Sequence, residues 1–490
     1  MNTHVLITDQ PFPYRLALAR AQAFSVARRT IGNALALAGV EVLALAVALL
    51  VAGFGRQWWV GEAKMVVGNA WVVLPLYVGT AAVLRLLPGY GLGAVEELRR
   101  VTWTVVGVFT LAAVGLWLAG PDIAPESQAS RLTLGLAGLL SLVLVPLARV
   151  TAKGVLVRHD AWGVPVVVYG AGPAGAKVVR QLQEERGMGY VPMAVFDDDR
   201  TRWGDFLDTV PIVGGTERIT SEAVVAFLAL PEADAETRAR LLEGPLTCYG
   251  TVVLVPDLLG APSLWVRPRD FVGVLGLEVT SNLTRPFAGF LKRAMDLAVA
   301  FLGAVVWMPL VALLAALVWL EDRRSPFFRQ ERIGRYGRPF RAWKLRTMVP
   351  DADRVLERAL AADPALRAEW EAYYKLERDP RITRVGRFLR ATSLDELPQL
   401  LNVIRGEMSL VGPRPLPVYH HEELEPRVRA LRERVRPGIT GMWQVSGRSD
   451  TGTLGMERWD PYYVRNWSLW LDLVVLVRTF RVVLRRSGAY

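Results

Sequence analysis

Long apolar runs separated by short polar stretches dominate the first 150 residues of the chain. Each of four runs approaches the ~20 residues that a transmembrane helix needs. Basic residues precede the first run, separate the second from the third and follow the fourth, so the positive-inside rule places both ends in the cytoplasm. We predict a cytoplasmic segment at residues 1–30 and a four-span bundle at residues 31–150. The predicted spans are residues 31–53, 65–84, 101–118 and 132–148.

One carboxylate, Glu41, lies inside the first apolar run. An ionisable residue at membrane depth indicates either a functional site or a buried ion pair, within the bundle or against a neighbouring protomer. The sequence leaves both interpretations open, so we keep Glu41 out of the predicted active site.

From about residue 162 the pattern changes to short β-rich runs separated by helical segments. Strands that alternate with helices are typical of a parallel sheet, so we predict a Rossmann-like α/β domain at residues 155–282. The predicted strands are residues 164–169, 193–196, 223–230, 251–255 and 272–279.

A glycine-rich turn, Gly170-Ala-Gly172-Pro-Ala-Gly175, directly follows the first of these strands and precedes a helix. This is the context of a dinucleotide or phosphate loop, and Asp197, Asp198 and Asp199, which end the second strand, are candidates to meet a ribose hydroxyl. Tight glycine turns also serve packing alone. The sequence supports a bound nucleotide and a purely structural turn about equally.

A fifth apolar run, residues 294–320, contains Pro309 near its middle and has basic residues on both flanks. A full crossing would place one basic flank on the outer side of the membrane. Pro309 divides the run into halves of roughly 22 and 17 Å, each shorter than the ~30 Å hydrocarbon core. We predict a re-entrant membrane helix over residues 286–320, with a kinked full span as the alternative.

Residues 321–490 are predicted to form a cytoplasmic, mainly helical domain rich in arginine. Its last segment, residues 470–486, mixes Leu and Val with arginines, as in amphipathic helices that lie on anionic membrane surfaces. The fold class is therefore a membrane protein with an N-terminal four-helix transmembrane bundle, a central Rossmann-like domain and a C-terminal mainly α domain. That last domain carries the re-entrant helix and the amphipathic interfacial helices.

Charge and cysteine content narrow the function classes. The net charge is +11, and the residues from 286 onward carry the whole excess, which indicates anionic lipids or phosphorylated substrates as partners. No helix-turn-helix, zinc-finger or RNA-recognition motif is present, so we expect no nucleic-acid partner. The single cysteine, Cys248, excludes an intramolecular disulfide framework and a multi-cysteine metal site.

The candidate chemistry centres on two adjacent carboxylates, Asp395 and Glu396. Apolar spacing predicts that a helix begins close to them, capped by either Ser393 or Asp395, with Pro398 tolerated in the first turn only in the second case. A helix N-terminus favours ionised carboxylates and bound anions. Successive helical residues face different directions, so Asp395 can face a phosphorus atom while Glu396 holds a metal ion.

Six motifs in the C-terminal domain, in this order, resemble those of the polyprenyl-phosphate sugar-1-phosphate transferases that initiate bacterial surface glycans. The resemblance covers about residue 290 to the C-terminus, and the upstream bundle with its Rossmann-like domain resembles the long galactose or glucose phosphotransferase branch. The motifs are Ser325-Pro-Phe-Phe-Arg-Gln330, Lys344-Leu-Arg-Thr-Met348, Asp379-Pro-Arg-Ile-Thr-Arg-Val-Gly-Arg387, Ser393-Leu-Asp-Glu-Leu-Pro398, Met408-Ser-Leu-Val-Gly-Pro-Arg-Pro415 and Val435-Arg-Pro-Gly-Ile-Thr-Gly441.

The resemblance implies transfer of a hexose 1-phosphate from a UDP-sugar to undecaprenyl phosphate, with release of UMP. It makes Asp395 the nucleophile that forms a covalent phosphosugar intermediate, and Glu396 a ligand of Mg²⁺, with Mn²⁺ as a possible substitute. It also implies a re-entrant helix with a central proline. We further expect a multi-pass protein of the bacterial inner membrane, an active site on its cytoplasmic face, contacts with membrane lipids and a homodimer.

The same resemblance assigns binding residues. Cations at matching positions are expected to hold phosphates, and the Pro-Arg-Pro element is expected to grip the nucleotide. Asp460 resembles a further acidic position near the metal or substrate. The expected binding residues are Lys344, Arg390, Pro413, Arg414, Pro415 and Asp460.

Two other function classes remain as alternatives. A membrane-anchored nucleotide-sugar dehydratase or epimerase can carry a similar bundle, but it needs a catalytic Tyr-x-x-x-Lys, and no tyrosine here has lysine four residues on. A non-enzymatic scaffold that senses nucleotides through its α/β domain is the other alternative. The intact pair of Asp395 and Glu396 argues against it.

Overall fold

The chain divides into two units, Met1–Gly260 and Ala261–Tyr490. The computed structural model of the protein describes most of both units. The described residues are 12–60, 71–118, 127–220, 222–255, 266–270, 275–279, 286–373, 376, 379–446 and 452–485.

The first unit begins with apolar helices. Within the described residues of this unit, three stretches are long and apolar enough to cross a membrane: Val26–Gly55, Ala94–Leu118 and Leu132–Arg158. Within the predicted span at 65–84, the structure has an 11-residue helix. The first six residues of that predicted span lie outside the described part. The helices are α1 (Phe12–Val60), α2 (Val73–Val83), α3 (Ala94–Leu118) and α4 (Ser127–Arg158).

Glu41 is fully buried among these helices and has charged and polar partners. Its carboxylate accepts hydrogen bonds from Nη1 of Arg149 and, at 3.2 Å, from the hydroxyl of Tyr77. Nε of the same arginine donates to Oε1 of Glu97 at 2.5 Å, so one guanidinium on α4 ties α1 to α3. Burying a charge is tolerated when it is paired, and the ion-pair interpretation within the bundle is confirmed.

A six-stranded sheet follows, in the order β3-β4-β2-β1-β5-β6. All neighbouring pairs are parallel except β3 and β4, which are antiparallel at one edge. The buried apolar runs of β1 and β5 lie in the middle, as expected for parallel strands covered on both faces. The elements are β1 (Val164–Tyr169), α5 (Pro173–Glu184), β2 (Tyr190–Phe196), β3 (Phe206–Leu207), β4 (Val210–Gly214), β5 (Val225–Leu228), α6 (Ala235–Glu243) and β6 (Thr251–Leu254).

The strand predicted at 272–279 does not belong to this sheet. Its described part, β8 (Leu275–Val279), pairs antiparallel with β7 (Val266–Asp270) in a separate two-stranded sheet of the second unit. The apolar pattern identified a strand, but a pattern of single residues does not specify its partner. The edge pair of β4 and the two-residue strand β3 was not predicted.

The second unit contains the fifth apolar run, which forms two helices, α7 (Pro286–Leu302) and α8 (Ala304–Asp322). The break lies at Gly303, so the predicted break at Pro309 is wrong: Pro309 lies inside α8. At the break, Nε1 of Trp307 donates at 2.9 Å to the carbonyl of Ala300, which the N–H of residue 304 would reach in an unbroken helix. The indole thus compensates for the interrupted ladder.

Helix α8 has 19 residues and is itself long and apolar enough to cross a membrane, about 28 Å at 1.5 Å per residue. The predicted lengths of roughly 22 and 17 Å for the two halves are therefore wrong, and the re-entrant path stays a prediction.

The remainder of the second unit is mainly helical, as predicted, with a β-hairpin and a short parallel strand pair added. Its elements are β9 (Phe327–Ile333), β10 (Pro339–Leu345), α9 (Ala352–Ala362), α10 (Pro364–Tyr373), α11 (Arg384–Thr392), α12 (Gln399–Arg405), β11 (Ser409–Val411), α13 (Val418–Glu422), α14 (Pro426–Arg432), β12 (Gly438–Thr440), α15 (Met442–Val445), α16 (Gly452–Asn466) and α17 (Leu469–Arg485).

Helix α17 coincides with the amphipathic segment predicted at 470–486. Leu471 and Val475 are buried in the unit, whereas Val477 and Phe480 are about two-thirds exposed, at 65% and 68%. An exposed apolar face beside arginines suits a membrane surface, and contact with lipid stays a prediction.

Candidate active site

The carboxylates Asp395 and Glu396 lie in one 3₁₀ turn, Leu394–Glu396, between α11 and α12. Residues three apart share a side of such a turn, so Leu394 and Leu397 point together. Both leucines pack against a buried cluster to which α8 contributes. The apolar pair thus fixes the turn, and the two acids between them line a cleft.

The predicted helix cap at this turn is wrong. Ser393 adopts the left-handed conformation, with φ at 57°, and makes no side-chain capping bond. Pro398 itself precedes α12, which begins at Gln399 and has only seven residues. The positive φ of Ser393 ends α11 and turns the chain, which apolar spacing does not reveal. The environment of the two acids therefore comes from side-chain cations rather than from a helix end.

Two cations converge on Glu396. Nζ of Lys344, on β10, lies 2.7 Å from Oε1 of Glu396 and 3.9 Å from Oδ2 of Asp395. Nη2 of Arg414, which follows β11, lies 3.1 Å from the same Oε1. One oxygen of Glu396 therefore receives both cations, and Lys344 also approaches the neighbouring carboxylate.

Arg390 reaches the same cleft from α11. Its Nε donates to the hydroxyl of Thr347 at 2.9 Å, and its positive charge acts on Asp395. A hydroxyl holds a guanidinium in place without neutralising it. Arg390 thus brings a positive charge to the cleft, where the carboxylates of Asp395 and Asp379 act on it.

These five side chains line a single cleft of about 1140 Å³, which we call the carboxylate cleft. The sequence-predicted residues Lys344, Arg390, Asp395, Glu396 and Arg414 are therefore brought together. Other parts of the wall are apolar or aromatic, and include Ile439, Trp443, Met456 and Leu476. The cleft combines a charged region with apolar surface within one space.

The two carboxylates differ in acidity although they are neighbours. Burial raises the pKa of Asp395 above its ordinary value of 3.8, and the charge of Lys344 only partly opposes this effect. Burial acts on Glu396 in the same direction, but the charges of Arg414 and Lys344 outweigh it and hold the pKa at about 2. Glu396 is a fixed anion, whereas Asp395 is the more basic carboxylate.

The Pro-Arg-Pro element presents Arg414 to the cleft, but neither of its prolines lines that cleft. Pro413 is buried, and its carbonyl accepts a hydrogen bond from the N–H of Gly438 at 2.9 Å. Gly412 precedes the element, and a Cβ there would lie 2.6 Å from the carbonyl of Arg436, so close backbone approach requires glycine. Pro413 and Pro415 flank the arginine and restrict the backbone on both sides of it.

Asp460 is not among the residues that line the carboxylate cleft. It is buried within α16, and its carboxylate accepts a short hydrogen bond from Nη1 of Arg432. Burial raises the pKa of Asp460 to about 6, against the opposing charge of Arg432. The predicted direct role near a metal or substrate finds no support in this position.

The glycine turn of the α/β domain belongs to the first unit. Gly170 has φ at 108°, and a Cβ on Gly175 would lie 1.9 Å from the carbonyl of Gly170, so both positions require glycine for the turn. Gly172 has open space around it. Oδ2 of Asp197 accepts a hydrogen bond from the N–H of Ala171 at 2.6 Å, so an internal carboxylate already binds this turn.

The carboxylate cleft has donors that suit a magnesium ion. Within the described residues, no group of three or more His, Cys, Asp or Glu side chains is placed to hold a metal. Mg²⁺ commonly binds through one or two carboxylates, and substrate phosphates and water complete its shell. Glu396 provides such a carboxylate, so it fits an ion that arrives with a phosphorylated substrate.

Sequence reasoning missed two residues that the structure connects to the site. Thr347 supports Arg390, and Arg432 contacts the backbone of Arg414. Thr347 stands in the motif that begins at Lys344, three residues after the lysine, and that spacing was the available signal. Arg432 lies outside all six motifs, and nothing in its local sequence indicates its partner.

Fold and site together define a membrane protein whose cleft is built to handle phosphorylated substrates. Residues 287–486 match the family described as "Bacterial sugar transferase". The chain belongs to this bacterial sugar transferase family, which sets aside the dehydratase and scaffold alternatives.

Sequence similarity to individual proteins extends well beyond the residues that match the family. The chain is 39% identical to the "UDP-galactose-lipid carrier transferase" of Erwinia amylovora, over 72% of this chain and 75% of that protein. It is 36% identical to the "Undecaprenyl-phosphate galactose phosphotransferase" of Salmonella typhimurium, over 80% and 82% of the two chains. It is 32% identical to the "UDP-glucose:undecaprenyl-phosphate glucose-1-phosphate transferase" of Escherichia coli, over 64% and 66%.

Proposed function

We propose that this protein transfers a hexose 1-phosphate, galactose or glucose, from a UDP-sugar to undecaprenyl phosphate and releases UMP. The reaction is the first membrane step in the synthesis of a surface polysaccharide or O-antigen. Membership of the sugar transferase family supports the reaction class. The observation that carries the chemistry is the pair of unlike carboxylates, Asp395 and Glu396, held beside two cations in an open cleft.

In the first half of the reaction, a carboxylate oxygen of Asp395 attacks the phosphorus that carries the sugar. A bond forms between this oxygen and phosphorus, and the bond between phosphorus and the bridging oxygen of the pyrophosphate breaks. UMP leaves with that electron pair, and the sugar phosphate remains on Asp395 as an acyl phosphate. The raised pKa of Asp395 supports this role, because a more basic carboxylate is a better nucleophile.

In the second half, an oxygen of undecaprenyl phosphate attacks the same phosphorus. The acyl–phosphate bond breaks, the carboxylate of Asp395 is regenerated, and the sugar becomes linked to the lipid through a pyrophosphate. Lys344, Arg390 and Arg414 contribute positive charge that offsets the negative charge of both phosphates. Arg414 contributes a planar group that can contact two phosphate oxygens at once.

Glu396 is the residue proposed to hold Mg²⁺. When bound, this ion neutralises pyrophosphate charge and makes UMP a better leaving group. The low pKa of Glu396 keeps the carboxylate ionised throughout the physiological range. Its contacts with Lys344 and Arg414 fix the orientation of the carboxylate in the cleft.

We also propose that the chain lies in the bacterial inner membrane with this cleft on the cytoplasmic side. Helices α7 and α8 then form the re-entrant element, with the turn at Gly303. The basic residues on both flanks, Lys292 and Arg293 before and Arg323 and Arg324 after, support a return to the same leaflet. Tags placed before Lys292 and after Arg324 are expected on one side, and labelling from opposite sides would establish a full span instead.

The reaction is tested with purified protein in detergent by measuring UMP release from UDP-galactose and UDP-glucose. Without lipid, we expect a burst of about one UMP per active site, because the first half-reaction needs no acceptor. Undecaprenyl phosphate should then permit repeated turnover. A strict requirement for lipid before any UMP appears would contradict the two-step route.

A further inference from the structure

Asp460 and Arg432 form a buried ion pair outside the carboxylate cleft. The exposed fractions of the two side chains are only 2% and 5%. Such a pair is weak evidence for stability, because the loss of hydration of both ions offsets their attraction. The contacts that the two side chains make with other groups are therefore more informative about the role of the pair than its contribution to stability.

Arg432 connects this pair to the Pro-Arg-Pro element. While Nη1 of Arg432 donates to Asp460, Nη2 donates to the backbone carbonyl of Arg414 at 2.5 Å. The guanidinium is planar, so the bond to the carboxylate fixes the direction in which Nη2 points. One side chain therefore orients the backbone of the residue whose own side chain enters the cleft.

Arg414 continues the connection to the reacting groups. Its Nη2 lies 3.1 Å from Oε1 of Glu396, the carboxylate proposed to hold the metal. Four residues thus form one chain of contacts: Asp460, Arg432, Arg414 and Glu396. Within the described residues, Nε of Arg432 has no hydrogen-bond partner, so its placement depends on the two Nη contacts.

We infer that Asp460 is a positioning residue that sets Arg414 through Arg432, and that it contacts neither substrate nor metal. The inference rests on the proposed function, since it assigns a role within that reaction. When Asp460 loses its charge, Arg432 becomes a buried cation without a counterion and turns toward water or another acceptor. The carbonyl of Arg414 then loses its donor, and the side chain of Arg414 becomes less ordered above the pyrophosphate.

The decisive variant is Arg432→Lys. Lysine keeps the charge that Asp460 needs, but its single ammonium group cannot also reach the carbonyl of Arg414 as the guanidinium does. We expect this variant and Asp460→Asn to raise the KM for UDP-sugar about tenfold, the effect of losing one charge-assisted hydrogen bond. Because Arg414 also contacts Glu396, any change in the concentration of Mg²⁺ for half-maximal activity should be the same in both variants.

The double variant Asp460→Asn with Arg432→Lys tests whether the two residues act together. If the two residues act through one contact, the KM of the double variant should not exceed the higher of the two KM values of the single variants. Independent roles would instead multiply the two increases in KM. Asp472→Asn is the matched control, because Asp472 is a buried carboxylate paired with Lys292 and does not contact Arg414. It should lower thermal stability and leave the KM for UDP-sugar within about twofold.

The outcomes are separable. UMP release by the wild-type protein establishes the proposed function in the same assay, whatever the variants do. A raised Mg²⁺ requirement in Asp460→Asn that Arg432→Lys does not share would make Asp460 a metal ligand and overturn the inference. Wild-type KM values in the folded Arg432→Lys protein, or multiplied effects in the double variant, would overturn it as well.

Discussion

Two turns in this protein carry acidic residues where phosphate chemistry is predicted, and they use those acids differently. In the α/β domain, Asp197 accepts hydrogen bonds from two backbone N–H groups, those of Ala171 and Asp199, at 2.6 and 2.9 Å. In the carboxylate cleft, Asp395 and Glu396 face the side chains of cations.

The partners determine what each turn can do. A backbone N–H is fixed by the fold, so Asp197 is bound permanently and stabilises the glycine turn. Lysine and arginine side chains can transfer their contacts to an incoming phosphate, because they rotate and carry full charge. A glycine motif therefore predicts the shape of a turn, whereas movable cations beside an acid indicate chemistry.

The largest expected effect comes from the nucleophile itself. Asp395→Asn preserves size and hydrogen bonding but removes the attacking carboxylate, so sugar-phosphate transfer should fall by a factor of about 10³ or more. Asp351→Asn is the matched control, since Asp351 is exposed and makes no capping bond. Both proteins should remain folded and membrane-bound. Near-wild-type turnover of UDP-sugar in Asp395→Asn would rule out covalent catalysis.

The next effect concerns the second acid of the cleft. Glu396→Gln removes the charge that holds Lys344 and Arg414, and with it the proposed metal ligand. We expect a loss of about 10²-fold in kcat, similar to that produced by EDTA in the wild-type protein. In Glu396→Gln, the residual rate should respond little to added Mg²⁺. A variant that keeps a wild-type Mg²⁺ dependence would place the metal elsewhere.

A third effect distinguishes the two acids by pH. Attack requires ionised Asp395, whose pKa is raised by burial, so activity should be complete above that pKa and fall as the pH drops through it. The fall should be about tenfold per pH unit and begin at a higher pH than for an exposed aspartate. Glu396 stays ionised down to about pH 2 and should add no second step. The pH profile of UMP release at saturating Mg²⁺ measures this fall in activity. If activity did not fall between neutral pH and the ordinary pKa range of aspartate, the assignment of Asp395 as the nucleophile would be contradicted.

The smallest expected effect lies in the glycine turn. Asp197→Asn weakens the acceptor for the N–H of Ala171 and should destabilise the α/β domain by about 1–2 kcal/mol. Transfer of the sugar phosphate should stay within about twofold of the wild-type rate. Thermal unfolding followed with and without a dinucleotide, which the proposed transfer does not use, tests this point. A dinucleotide that strongly stabilises the wild-type protein but not Asp197→Asn would show that the turn binds a ligand.

Sequence pattern predicted the elements better than it predicted their connections. The strand at Val164–Tyr169 and the helix at Leu469–Arg485 lie where apolar periodicity placed them, because burial of one face directly shapes the sequence. The helix break was misplaced because proline is a visible signal. The break lies at Gly303 instead, and the indole of Trp307 compensates for it through a contact with Ala300 that spacing does not encode.

The site shows the same division. Local motifs identified Asp395, Glu396 and the cations that surround them, since each stands in a distinctive stretch of sequence. The role of Asp460 depends on Arg432, which lies 28 residues away in an ordinary helical sequence. Only the folded chain brings these two together, so their contact with Arg414 was not predictable from either stretch alone.

The most direct test of the central claim is to map the covalent intermediate. The purified protein is incubated with UDP-sugar labelled at the sugar-linked phosphate, without lipid acceptor, then digested and analysed by mass spectrometry. We predict a hexose phosphate on the peptide that contains Asp395, formed together with one equivalent of UMP and discharged on addition of undecaprenyl phosphate. Lipid-linked product formed at the normal rate by a protein that never carries label at Asp395 would contradict the account.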